Sequence, residues 1–459
     1  MLKVNGQAGS ATIATDRAAT KAPLPRVLYL SFFFPPSRAS GVFRGRATAN
    51  HLAQAGWDVT VVTAPRDFFG YYLDGASDES LEATVDSRVN VVRPKMITYH
   101  WERDVRRFGV FRGTFPTLSD KLYRRVQNWI FPEYYLGWAP GVIRKSLALH
   151  RERHFDLVIA TGNPFVSFAL ARWLGRRLKI PYVVDYRDSW TYNQFTDELL
   201  FPEDGKVMRW ESRIVRDAAE IVFVNDVMRQ WAADRYPFAV DRMTVVRNGW
   251  DPDVLGQVPH APADPDRPLR FGYLGTVTGA LPLDVLFEGW RRARGHPLLA
   301  GAELNVYGHL GFFPHSAGPL RSRLQREQDA GVRYHGAFSK TEAAKIYGQT
   351  DALVFCPGGT RYVTSAKIFE YMATGKPIAS VHAPGIAAEE VLRGYPLWSA
   401  AARLDADHAA EALIAAARAA REAGPAEHEA AQRHAERFTR DAALAPWEAR
   451  LRAMVEVAR

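Results

Sequence analysis

The stretch Arg26-Val-Leu-Tyr-Leu-Ser31 is a short unbroken apolar run that stops at Pro35-Pro36-Ser37. It lacks the alternation of a half-solvated strand, so it belongs to a parallel sheet covered on both faces. A helical pattern follows over Val42 to Ala55, Gly56 closes it, and Trp57-Asp-Val-Thr-Val-Val-Thr63 is the next strand. Together these form one β-α-β unit. The rhythm returns with a strand over Asp156 to Ala160, a helix over Phe165 to Leu178 and a strand over Tyr182 to Asp185. Strands over Glu220 to Val224 and Met243 to Val246 follow.

The Pro- and Asp-rich stretch 256–268 reads as a linker, after which the pattern restarts. Strands are expected at Leu269 to Leu274, Leu304 to Tyr307, Val332 to His335, Ala352 to Phe355 and Pro377 to Ser380. Helices are expected over Pro282 to Arg294, Lys340 to Tyr347 and Ala366 to Thr374, with a helical tail from Ile386. Alternating strands and helices imply parallel sheets with helices on both faces. The fold class is therefore α/β, with two Rossmann-like doubly wound domains facing a cleft. The expected division is a tail (1–25), a first domain (26–255) with an insertion near 98–140, a second domain (269–437), and a last helix (438–459) crossing back.

The 459 residues have ordinary globular composition, 47% hydrophobic and 24% charged. The single Cys356 excludes an intramolecular disulfide. No apolar run reaches the length of a membrane-spanning helix, and the first residues lack a signal peptide's apolar middle, so the sequence reads as cytoplasmic. A net charge of +9 fits an anionic membrane surface or anionic substrate. No nucleic-acid-binding pattern accompanies it, so no nucleic acid is expected as a partner. The thirteen histidines show no paired ligand spacing, so no metal or resident cofactor is expected.

Ligands of open α/β sheets bind beyond the carboxyl ends of the strands. Three loops qualify: Pro35 to Arg44 with its Gly41, Gly275 to Gly279, and Pro357 to Ser365. Thr364 or Ser365 can cap the helix after the third. Lys367 and Glu370, three apart, share a face of that helix. A cation there suits a diphosphate and a carboxylate one turn on suits vicinal hydroxyls, although a Lys-x-x-Glu pair alone is equally a surface ion pair.

The string Ser365-Ala-Lys-Ile-Phe-Glu-Tyr-Met-Ala-Thr-Gly-Lys-Pro377 resembles the donor-binding segment of family 4 glycosyltransferases, which have the GT-B fold. In order along the chain, Pro35 to Arg44 resembles their first glycine loop and Ala160 to Ser167 a threonine/proline turn of one subgroup. Asp185-Tyr-Arg-Asp-Ser-Trp190 resembles that subgroup's D-x-R-D-x-W motif, and Arg247-Asn-Gly-Trp-Asp251 the segment closing the first domain. The resemblance implies that Glu370 holds the donor ribose, with Ser365, Lys367 and the Gly275-Thr276 turn beside the diphosphate. Two departures stand out. Tyr362 occupies the place of the first Glu of the family's E-x7-E pattern, and Thr276, Val277, Thr278 and Leu281 replace the usual cations of the second glycine loop. Arg44, Arg361 and Lys367 are then the candidates to neutralise the diphosphate. Asp188, with Arg187 beside it, either orients the acceptor hydroxyl or caps a following helix.

The segment Tyr99 to Trp138 interleaves aromatic residues, Trp129 among them, with Arg106, Arg107, Arg124, Arg125 and other cations. This describes either an interfacial element on an anionic bilayer or a helical pair with its rings in the core. The expected activity is transfer of a sugar, with retention, from a UDP- or GDP-linked nucleotide sugar. The acceptor would be a glycan or lipid-linked molecule at the inner face of the cell membrane. The alternatives are a hydrolysing sugar-nucleotide epimerase of the same fold and a non-catalytic partner subunit.

Overall fold

The computed structural model describes residues 24–73, 77–256, 258, 263–311, 317–339, 342–359 and 361–458. Most of the expected tail, the middle of the expected linker and the expected helix start at Lys340 lie outside the described residues.

The first lobe is a seven-stranded parallel sheet. In chain order its strands are β1 (Arg26–Leu30), β2 (Asp58–Val62), β3 (Asn90–Val92), β4 (Leu157–Gly162) and β5 (Tyr182–Tyr186). A two-stranded hairpin, β6 (Tyr192–Asn193) and β7 (Glu198–Leu199), interrupts before β8 (Glu220–Phe223) and β9 (Met243–Val245). The sheet order is β3-β2-β1-β4-β5-β8-β9. The second lobe contains β10 (Arg270–Leu274), β11 (Glu303–Tyr307), β12 (Val332–Gly336), β13 (Ala352–Phe355), β14 (Ile378–Ser380) and β15 (Trp398–Ala400). Its order is β12-β11-β10-β13-β14-β15, again all parallel. Each sheet therefore reverses direction next to its first strand, between β1 and β4 and between β10 and β13. Such switch points open a crevice at the strands' carboxyl ends.

The central strands are fully buried because both faces are covered; every residue of β1, β4 and β5 is. The edge strands β3 and β15 are only three residues long and part-exposed, and nothing in the sequence marked them.

The helix Arg440–Ala458 leaves the second lobe and buries Leu444, Trp447, Leu451 and Val455 in the first lobe's core. Trp447 and Arg450 bond Glu220 at 3.0 and 3.1 Å, and Trp57 bonds Glu448 at 2.7 Å. The lobes are joined where Trp250 and Phe438–Arg440 run side by side. The Trp250 amide donates to the Phe438 carbonyl (3.0 Å) and the Arg440 amide to the Trp250 carbonyl (2.9 Å). A side chain at Gly249 would strike the Phe438–Arg440 backbone, so this close approach requires a glycine.

The inserted segment divides by position. Phe131 and Trp138 are in the core, where Phe131 packs on Trp190 and Trp210. The helix Pro116–Ile130 buries only Ser119 and Gln127. Leu118, Leu122, Val126 and Trp129 line one exposed face of it, with Trp129 79% exposed.

Candidate functional site

The β1 and β5 loops of the first lobe meet through arginines. Arg44, in the first turn of the helix Val42–Gln54, is almost fully buried and grips the fully buried Asp185 of β5 at 2.7–3.1 Å. Its remaining edge donates to the Val246 carbonyl (2.9 Å) and to Asn248 (3.3 Å). Arg44 is thus committed to tying β1, β5 and the hinge strand together, rather than presented to a phosphate. Arg187 lies directly over Gly41, where a β-carbon would coincide with its guanidinium. It donates to the Asn163 carbonyl at 2.5 Å and lies 3.4 Å from Asp188, which is 39% exposed. No helix follows Asp188; the β6–β7 hairpin does, so the capping role has no helix to serve.

Glu133, from the end of the inserted segment, accepts from the amides of Phe165 (2.8 Å) and Val166 (2.5 Å). It thereby satisfies the amino end of the helix Val166–Leu178, which its own N-cap residue Phe165 cannot do. Burial raises its carboxyl to about 7 against the pull of those two amides. Nothing in the sequence marks this role, because the partners are more than thirty residues apart and Glu133 belongs to no motif.

In the second lobe, Gly275 follows β10 with φ +142°, a conformation suited to glycine, and Lys367 packs against it. A β-carbon there would lie 2.7 Å from the Lys367 amine. That amine donates to the Tyr273 hydroxyl (2.7 Å), which donates in turn to the Thr276 carbonyl (3.0 Å). Glu370, part-exposed on the same helix Lys367–Ala373, accepts from the Tyr347 hydroxyl at 3.1 Å. The β10/β13 switch point therefore gathers Gly275, Thr276, Lys367 and Glu370. Cys356, buried at the end of β13, is pushed up to about 12 and is an inert thiol.

Ser365 and Thr364 do not cap the helix: its N-cap is Ala366, without a side-chain bond. Thr364 instead accepts from Asn225 of the first lobe (3.2 Å), which also bonds the Tyr362 carbonyl (2.8 Å). Tyr362 itself is 1% exposed and seated in the first lobe's core, its ring 4.7 Å from that of Tyr192. Arg361 points away from Lys367. It pairs with Asp197 at 3.5 Å and lines a cavity of about 330 Å³ with Asp226, Arg229, Trp231 and Asp234.

Arg106 and Arg107 are exposed but held by Asp104 (2.8 Å) and Glu102 (3.5 Å). Arg124 pairs with Asp120 at 2.8 Å, and Arg125 and Trp129 project from the exposed helix. Among the described residues no group of His, Cys, Asp and Glu could hold a metal ion, and no helix is long and apolar enough to cross a membrane.

Two switch points, one carrying a Lys/Glu helix and the other an Arg-Asp motif, belong to the two lobes of a GT-B fold. Residues 44–249 match the sequence model of the glycosyl transferase 4-like domain. No curated protein matches it in sequence. Among solved structures, sucrose-phosphate synthase from Thermosynechococcus elongatus is similar at 14% identity and TM-score 0.61, over 95% of this chain and 100% of that one. HepE from Anabaena, solved in complex with UDP, is similar at 13% identity and TM-score 0.61, over 93% and 100%. WaaG, a glycosyltransferase involved in lipopolysaccharide biosynthesis, is similar at 14% identity and TM-score 0.54, over 91% and 98%. At such identities these likenesses establish the fold.

Proposed function

We propose that the protein moves a sugar, with retention, from a UDP- or GDP-linked donor to a glycan or lipid-linked acceptor at the cytoplasmic face of the cell membrane. The observation that carries this reading is the meeting of Lys367, Gly275 and Thr276 at the β10/β13 switch point, with Glu370 one turn along. Glu370 would accept from the two ribose hydroxyls, and Lys367 and Ser365 would face the diphosphate. HepE, of the same fold, has been solved with UDP and with UDP-glucose, which supports a nucleotide-sugar donor.

In the transfer, the bond between the anomeric carbon and the leaving phosphate oxygen breaks. The acceptor oxygen bonds to that carbon on the same face, and its proton passes to the leaving phosphate. No strong base is needed, so the larger task is stabilising the departing charge. Asp188 and Arg187, at the carboxyl end of β5, would orient the acceptor hydroxyl. The exposed face of the helix Pro116–Ile130, flanked by Arg124 and Arg125, would lie on an anionic bilayer, with Arg106 and Arg107 nearby.

The test is a panel of UDP- and GDP-sugars, without acceptor, scored by calorimetry and by slow release of free sugar. Binding of one nucleotide class with slow hydrolysis is expected. Net formation of an epimer would assign the isomerase reaction instead, and no binding by any member would leave a non-catalytic subunit.

A further inference from the structure

Three arginines crowd the hinge, and their charges are not equally met. Arg44 is locked to Asp185, and Arg46 forms an ion pair with Asp251 and bonds the Thr84 carbonyl at 3.0 Å. Arg440, the first residue of the crossing helix, is only 9% exposed, yet its side chain has no hydrogen-bond or ion-pair partner among the described residues. Its Nε is sealed from solvent and unpartnered, so what exposure remains belongs to the rest of the side chain. The neighbouring charges come from both lobes: Arg44 and Arg46 of the first, and Glu370 of the second. Burial, reinforced by the two neighbouring guanidiniums, draws the Arg440 pKa down to about 9. A buried cation with no hydrogen-bonded partner and two like charges beside it is costly to the fold, and such groups mark places where a ligand supplies further negative charge.

The donor loop poses the complementary problem. A nucleoside diphosphate brings two or more negative charges, while Thr276, Val277 and Thr278 occupy the turn after β10 and carry none. Arg44 is committed elsewhere and Arg361 faces the cavity beside Asp197. Lys367 is the one charged candidate that remains at the turn.

We propose that Arg440, at the junction of the lobes, is an anion receptor that binds the diphosphate of the donor and supplies the cation its glycine loop lacks. This rests on the nucleotide-sugar reading above. The receptor belongs to the helix that joins the lobes, so the leaving charge would be held by the element on which the lobes hinge.

The test titrates wild type, Arg440→Met and Arg440→Lys with UDP, GDP, uridine, guanosine and inorganic pyrophosphate by calorimetry, and records the ligand-free melting temperature of each. For the nucleotide that binds wild type, Met should weaken binding about tenfold, the loss of one charge-assisted contact, and Lys should recover part of it. The matching nucleoside should bind all three proteins alike, and pyrophosphate should follow the nucleotide. The ligand-free Met variant should melt no lower than wild type, since an unpaired buried charge has been removed. Equal losses for nucleoside and nucleotide, or a Met variant that binds nucleotide like wild type, would overturn the assignment while leaving the donor reading intact. If wild type binds neither UDP nor GDP, the donor reading falls and this proposal falls with it.

Discussion

The two lobes share a strand topology but handle charge in opposite ways. In the first, the charged groups at the carboxyl ends of the strands are spent on one another: Arg44 on Asp185, Arg187 on the Asn163 carbonyl and Asp188, Glu133 on the amides of Phe165 and Val166. In the second, the equivalent edge carries Lys367, which donates to the Tyr273 hydroxyl, and Glu370, which accepts from the Tyr347 hydroxyl. The first lobe's loops are thus tied to one another mainly by charged side chains, and the second lobe's edge in part by tyrosine hydroxyls.

The sharpest way to break this contrast is to remove one half of the buried pair. Asp185→Ala strands the Arg44 guanidinium and should cost about 3–5 kcal/mol of stability, read by denaturant unfolding. An unfolding midpoint within error of wild type would deny the pair its structural weight. Next, Glu370→Ala should weaken nucleotide binding about 30- to 100-fold, at about 2–3 kcal/mol for charge-assisted bonds, with little change in melting temperature. Unchanged affinity by calorimetry would take ribose recognition away from it. A smaller effect is expected at the exposed helix. Replacing Arg124 and Arg125 by Gln should lower binding to phosphatidylserine vesicles about thirtyfold, at about 1 kcal/mol per cation. Native protein that fails to sediment with such vesicles would end the membrane proposal.

The smallest effect is in pH. The Glu133 carboxyl is raised from its ordinary 4.5 to about 7 in the folded protein, so between those values the folded state holds a proton that the unfolded state has released. Its contribution is therefore fully present below about 4.5 and lost as pH rises through 7. Glu133→Gln should flatten the fall of melting temperature over that window by a few degrees. A slope identical to wild type would mean that the carboxyl titrates normally.

Much of this architecture could be read from the chain because buried parallel strands leave continuous apolar runs; β1, β4, β5 and β13 are all of that kind. The three-residue strands β3 and β15 escaped because they are part-exposed and carry no such run. The motifs placed Lys367, Glu370, Gly275 and Arg187 at the crevice edges, since a loop's position after a strand is a local property. Partners distant in sequence could not be read the same way. Arg44 was a phosphate candidate until the fold set Asp185, 141 residues on, against it. Ser365 and Thr364 had the chemistry of caps, but Asn225 engages Thr364 from the other lobe.

The substitution of tyrosine at position 362 reaches beyond the loop that holds it. Because its ring packs 4.7 Å from that of Tyr192 in the first lobe's core, moving the lobes apart would draw an aromatic side chain into water. At about 2 kcal/mol for one such side chain, an open form would be held by roughly one molecule in thirty. The phenol ring thus adds to the cost of separating the lobes.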